Sequence, residues 1–419
     1  VKVRLEYGKE GLEAELPEEN LVKVLGLQPV EPLADVPAAV REAIQSPIGS
    51  APLRELARGK RKACIVVCDV TRPVPNAEIL PVLLEVLDAY EVEATILIAT
   101  GTHRPNEGDE LVRMLGDEIA SSRRIVNHVC TDEHVDLGMS PHGIPVSLNR
   151  WYVEADLRVT VGMIEPHFMA GYAGGRKMVM PGIAGLPTVQ AWHSPRFLEH
   201  PNATNGIVEG NPVHEASLAI AQMCPPHFIV DVALDEHKRP YAVFAGDMEA
   251  AWNAGVARVS AAVRDTVPEP VDIVVTTCGG YPLDLTFYQS VKGMVGALPI
   301  LKEGGTIVLA SACDEGIGNA HFRDTLFSFE RISDFLPAIT SPDWKPIADQ
   351  WQMEELAKAC RHAEILMVAR GIPPGQLYRL HVTPVRNVEA AIELAIQKHG
   401  SQARIAAIPK GPYVLPQVA

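Results

Sequence analysis

Three apolar, β-branched stretches of the chain end in polar, reactive sequences. The first ends Cys68-Asp69-Val70-Thr71-Arg72-Pro73, the second Thr100-Gly101-Thr102-His103-Arg104-Pro105, and the third Met163-Ile164-Glu165-Pro166-His167-Phe168. Among the groups they supply are the carboxylate of Asp69, the guanidinium of Arg72 and the imidazoles of His103 and His167. Imidazole, with an ordinary pKa of about 6.5, suits proton transfer near neutral pH. Taken singly, Asp69 and Thr102 read equally well as helix caps, and each histidine as a satisfied loop residue. Four such groups at equivalent strand ends favour a common site, because open α/β sheets bind ligands beyond the carboxyl ends of their strands.

The segment after His167 runs Gly171-Tyr172-Ala173-Gly174-Gly175-Arg176-Lys177-Met178-Val179-Met180-Pro181-Gly182. Its glycines, Gly174 and Gly175 among them, let backbone amides approach an anion closely, and a lysine beside apolar residues is open to desolvation. A tight turn with an exposed lysine fits the same residues. The pattern is neither a Walker A loop nor G-x-G-x-x-G; the nearest dinucleotide-like run, Gly316-Ile317-Gly318-Asn319-Ala320-His321, lacks the final small residue. His193, in Ala191-Trp192-His193-Ser194-Pro195, has no partner at zinc-site spacing. Any metal on it needs its other ligands from elsewhere, an organic cofactor included. Further on, Phe287-Tyr288-Gln289-Ser290-Val291-Lys292-Gly293 opens a helix on which Gln289 and Lys292 share a face. That pair suits a carboxylate or, equally, a solvated surface. Trp351 either lines the same cleft or packs in the core.

The elements that must position these groups alternate regularly. Strands are expected at Ala63–Cys68, Ala94–Ala99, Leu157–Met163, His227–Ala233, Asp272–Thr277, Thr306–Ala310, Glu364–Ala369 and Ile405–Ile408. Helices are expected at Ala77–Ala89, Gly108–Gly116, Pro212–Met223, Met248–Val263, Thr286–Leu301, Gln352–Cys360 and Val388–Lys398. Near-continuous apolar strands alternating with helices predict a doubly wound α/β fold with parallel sheets. A Pro-containing stretch, Asp265-Thr266-Val267-Pro268-Glu269-Pro270, reads as the linker between a domain of residues 1–266 and one of residues 267–419. The first fifty residues read as a small added sheet or wrapping arm.

The composition narrows the partners. Of 419 residues, 37 are Lys or Arg and 52 Asp or Glu, a net charge of −15 that argues against nucleic acid or an anionic membrane surface. No apolar run approaches the roughly 20 residues that cross a bilayer. The first residues carry no signal-peptide h-region, and seven scattered cysteines without a C-x-x-C fit a reducing cytoplasm.

In their order along the chain, the motifs around Asp69, His103, His167, Lys177, His193 and Gln289 closely resemble those of the nickel-pincer lactate racemase family. The resemblance implies two α/β domains with the active site in the interdomain cleft. It also implies a nickel(II) pyridinium-3,5-bisthiocarboxylic acid mononucleotide. By position, Lys177 resembles the covalent tether, His193 the protein's nickel ligand, and His103 and His167 the acid/base pair. Arg72, Gln289, Lys292, Tyr288 and Trp351 resemble substrate-binding residues, and Asp69, Arg72, Thr102, Gly174 and Gly175 cofactor-binding ones. The implied activity is racemisation or epimerisation of a small 2-hydroxy acid by hydride transfer, which spares the substrate a second negative charge beside its carboxylate. Cofactor-synthesis enzymes would load the protein. Arg104 and Arg176 are further cations for a substrate with a second carboxylate. The residues alone leave two other readings: a metal-dependent hydrolase or lyase built on His103, His167 and His193, and a non-catalytic protein that binds an anionic metabolite. They set no oligomeric state.

Overall fold

The structure, a computed structural model, describes all of residues 1–419. By internal contacts the chain forms two compact units. The first comprises Pro29–Trp192 and Val208–Ala262; the second comprises Val1–Gln28, His193–Ile207 and Val263–Ala419.

The unit of residues 29–192 and 208–262 is built on a six-stranded sheet. Its strands are β1 (Lys62–Cys68), β2 (Glu93–Ala99), β3 (Arg124–Asn127), β4 (Leu157–Met163), β5 (Phe228–Leu234) and β6 (Pro240–Gly246), in spatial order β6-β5-β4-β1-β2-β3. β1 through β5 run parallel; the Ile, Val and Leu side chains of β1, β2 and β4 and nearly all of those of β5 are buried, as a sheet covered on both faces requires, while those of the edge strand β3 are half-buried. β6 departs from the expected all-parallel arrangement, pairing antiparallel with β5 through a hairpin. Asp235 sets that turn: its carboxylate accepts from the amides of His237 and Arg239 at 2.8 Å each. The chain runs outward from β1 to β3 and then returns to β1's other side as β4. The reversal of strand order therefore lies between β1 and β4. The helices that matter for the site are α1 (Leu186–Trp192), α2 (Pro212–Met223) and α3 (Met248–Val263). Asn211 starts α2, its side chain accepting from the Val213 and His214 amides while Pro212 occupies the first turn.

The second unit has its own six-stranded sheet, all parallel. Strands β7 (Val271–Thr277), β8 (Leu301–Ala310), β9 (Ala363–Val368), β10 (Thr383–Pro384) and β11 (Ile405–Ile408) lie in the order β10-β9-β8-β7-β11, with Leu21–Val24 beyond β11. Its core combines Ile273, Val275, Val308, Leu366 and Ile405 with Val3, Leu5 and Leu16 of an N-terminal hairpin. The helices used below are α4 (Phe287–Ala297) and α5 (Gln350–His362).

The compact units interleave along the chain instead of dividing at residue 266. Residues 1–28 pack with the C-terminal sheet because Leu21–Val24 continues it beside β11, and Lys23 Nζ lies 2.5 Å from Asp265 Oδ1. The expected linker is ordered: Arg264–Val267 is a strand paired in parallel with Leu415–Val418. All seven cysteines are free thiols, and no helix is long and apolar enough to cross a membrane.

Candidate active site

The loops after β1, β2 and β4 gather a connected polar cluster at the strand-order reversal, where such sheets bind ligands. Asp69, directly after β1, is buried and central to it. One carboxylate oxygen accepts from the Thr71 hydroxyl at 2.5 Å and the Thr71 amide at 3.1 Å; the other lies 2.7 Å from Nδ1 of His103. Burial alone would raise its pKa, but the bonds from His103 and Thr71 and the charge of Arg72 hold it below its ordinary value. Asp69 is therefore a carboxylate at neutral pH and can only accept. It fixes the proton of His103 on Nδ1 and leaves Nε2 as the basic atom.

His167 is set the other way. It sits in a two-residue strand paired with Gly171–Tyr172, and its Nδ1 accepts from the amides of Met169 and Ala170 at 3.3 and 3.2 Å. Its proton therefore lies on Nε2. The ring stacks on Phe168 with centroids 5.1 Å apart. Arg72 Nε pairs with Glu165 Oε1 at 3.0 Å, joining the β1 loop to the β4 loop, and its Nη1 reaches the Thr71 hydroxyl at 3.2 Å. Gly101, next to Thr102, donates to the carbonyl of Gly182 at 3.0 Å and so ties the β2 loop to the turn that carries Lys177.

That turn is a short 3-10 helix, Gly175–Met178, and Lys177 holds its amine 5.0 Å from the centre of the Trp192 ring. Asp231, a lone carboxylate in the apolar strand β5, holds it from beneath by accepting from the Gly175 amide at 2.7 Å. A Cβ on Gly174, whose φ is +77°, would stand 2.8 Å from Asp231 Oδ2; one on Gly175 would stand 2.8 Å from the Trp252 ring. Both glycines are thus required by close packing, and the Gly175 amide is already committed to protein. Burial pushes the Asp231 pKa up to about 7. The sequence signal for Asp231 was its charge within an otherwise apolar run; Trp192 and Trp252 carried none.

Two cations named for a second carboxylate are otherwise engaged. Arg104 forms a double hydrogen bond with Glu110 at 2.6 and 2.8 Å. Arg176 points inward and is fully buried.

In the second unit, His193 is 8 % exposed and stacks on Trp351 of α5, with centroids 4.4 Å apart and planes at 20°. This gives Trp351 a definite partner. The Tyr288 hydroxyl donates to Asp349 at 3.0 Å, and its ring meets Phe322 edge-on. Gln289, on the first turn of α4, has a buried Oε1 without a partner, and Lys292 lies one turn on. No three His, Cys, Asp or Glu side chains converge to hold a metal ion.

Known proteins match this chain over nearly its whole length. Residues 7–206 match the family described as lactate racemase N-terminal domain, and residues 267–415 that described as lactate racemase C-terminal domain. The lactate racemase of Lactiplantibacillus plantarum is 38 % identical over 420 residues, covering 98 % of both chains. That of Thermoanaerobacterium thermosaccharolyticum is 33 % identical over 420 residues, covering 99 % of this chain and 98 % of the relative. The structure of the latter organism's lactate racemase apoprotein superposes with a TM-score of 0.95 at 32 % identity, covering 100 % of each chain. A Thermotoga maritima structure with a TM-score of 0.69 and 18 % identity, covering 92 % of this chain and 98 % of its own, shares the fold.

Proposed function

The chain belongs to the lactate racemase family, and from that premise we propose that it interconverts the enantiomers of a short 2-hydroxy acid such as lactate. The observation that carries the reading is the pair of imidazoles fixed in opposite tautomers, His103 by Asp69 and His167 by two backbone amides. Racemisation needs a proton acceptor for the hydroxyl of either enantiomer. His103 Nε2 is the base ready in the resting protein. His167 presents Nε2–H, which donates to a substrate oxygen. To act as base in its turn it gives up two amide contacts, long ones by hydrogen-bond standards.

The residues fit a nickel-pincer nucleotide. Lys177 offers a half-buried amine on a braced turn, and His193 a single imidazole held by Trp351. One imidazole as donor set would suit a metal whose other ligands come from an organic cofactor. The chemistry such a group supplies when bound is reversible storage of the substrate's α-hydrogen with its electron pair. In this reading Lys177 tethers the nucleotide and His193 ligates its nickel. Asp69, Thr102, Gly174 and Gly175 shape its seat. Arg72, aimed by Glu165 and Thr71, holds the substrate carboxylate, with Lys292 as second cation. Gln289 offers its partnerless Oε1 to the hydroxyl, and Tyr288 and Trp351 complete the substrate-binding set. With Arg104 and Arg176 engaged elsewhere, a monocarboxylate fits better than a dicarboxylate. The free thiols suit a reducing cytoplasm, where cofactor-synthesis enzymes load the protein.

The test is a panel of enantiopure 2-hydroxy acids given to protein produced alongside those enzymes. Loss of optical rotation is expected for short monocarboxylates, with a covalent mass adduct absent from Lys177→Ala. An adduct-bearing protein that leaves every member of the panel optically pure would overturn the assignment.

A further inference from the structure

Arg176 and Lys177 are neighbours in sequence yet serve different surroundings. Lys177 directs its amine to Trp192 of α1; Arg176 turns inward, with its guanidinium 4.4 Å from the centre of the Trp252 ring of α3. Its Nη2 is satisfied by the carbonyls of Ala170 and Tyr172 at 2.8 and 3.0 Å. Nε and Nη1 meet no acceptor, although the side chain is only 1 % exposed. Asp231 is close enough for its charge to act on Arg176, but it forms no ion pair with it. Burial still pulls the guanidinium down to about 9, so Asp231 does not compensate for the lost hydration. A buried charge persists when something pairs with it.

Arg176 lines a cavity of ≈ 40 Å³ with His214, Leu218, Met248 and Trp252, and the exposed residues Glu249 and Asn253 stand at its mouth. His214 stacks on Trp252, and its Nδ1 is likewise buried without a partner. Glu249 is tied to Gln222 by a 2.7 Å hydrogen bond. We infer that this cavity is a binding site for one small monovalent inorganic anion of the halide class, held by Nε and Nη1 of Arg176 and by Nδ1–H of His214. The volume accommodates one such ion or about three waters. Water would fill the donors' bonds but leave the charge. An anion does both, and it steadies the turn on which Lys177 stands.

The experiment uses bromide as probe on the intact protein. A crystal soaked in bromide should show an anomalous peak within hydrogen-bond distance of Arg176. In solution at constant ionic strength, replacing methanesulfonate, a monovalent anion without a hydroxyl group, by bromide should raise Tm saturably, and Arg176→Met should abolish the response. Should that variant not fold, Asn253→Asp places a negative charge at the mouth and should raise the half-saturating bromide concentration at least tenfold. Water alone at the site, equal Tm in bromide and methanesulfonate, or an unchanged half-saturation in Asn253→Asp each overturns the inference.

Discussion

At the scale of single residues, the proton arrangement of the site depends on Asp69. Its carboxylate accepts from His103 Nδ1 and from Thr71, and nothing else in the cluster fixes the His103 tautomer. Asn at position 69 keeps the size but offers an amide that can donate to Nδ1, which would move the histidine's proton to Nε2. Asp69→Asn should therefore lower racemisation on the order of 10²–10⁴-fold, the range over which general acid–base catalysis contributes. Tm should change little. The check is racemisation from each pure enantiomer together with ¹⁵N NMR of the imidazole. A wild-type rate with the His103 proton on Nε2 would dismiss the role given to Asp69.

At the scale of elements, helix α5 holds the segment that bears His193. Trp351, Glu355 and Lys358 recur at i, i+4 and i+7, on one face. Trp351 stacks on His193, and Lys358 donates to the carbonyls of Leu198 and Ala203 at 2.9 and 3.4 Å and to Glu355 at 2.9 Å. Arg361 adds an ion pair with Glu199 at 2.6 Å. Lys358→Met leaves the buried Glu355 without its cation, a loss of about 3 kcal/mol where that carboxylate is charged. Burial raises the Glu355 pKa to about 7, with Lys358 opposing. The destabilisation should therefore be larger at pH 8 than at pH 5, where a proton replaces the lost partner. Urea unfolding at both pH values checks this, and an equal loss would contradict it. The strands and the longer helices were legible because each buries an apolar run or stripe. The attachment of residues 193–207 to α5 was not, because it runs through backbone carbonyls and a single lysine. Asp231 was likewise not legible, because its partner, the amide of Gly175, is 56 residues away in the chain.

At the scale of the whole molecule, buried ionisable groups set the pH range of stability. Burial raises Glu354 to about 9. A carboxyl that folds protonated contributes stability that is intact below its unfolded pKa, near 4.5, and is lost as pH rises towards 9. Burial lowers His128 to about 4 and His214 to about 3, so these act oppositely and lose stability as pH falls below about 6.5. Stability should thus fall between pH 7 and pH 9, and Glu354→Gln should flatten that decline in a Tm series. A decline as steep in the variant would reject Glu354 as its source. The two-domain α/β class was readable from the alternation of elements. The return of residues 1–28 to the far sheet was not, since Leu21–Val24 carries no mark of which sheet it will join.

The interleaved connectivity bears on the order in which the protein is made. The unit that carries Asp69, His103, His167 and Lys177 has all its residues once Ala262 has left the ribosome. The other unit cannot close its sheet until Ile405–Ile408, the strand between Leu21–Val24 and Val271–Thr277, has been synthesised. The first 28 residues and the His193 segment must therefore wait until Ile405–Ile408 has been made. The nascent chain thus completes the unit that carries Asp69, His103 and His167 before the unit that holds His193.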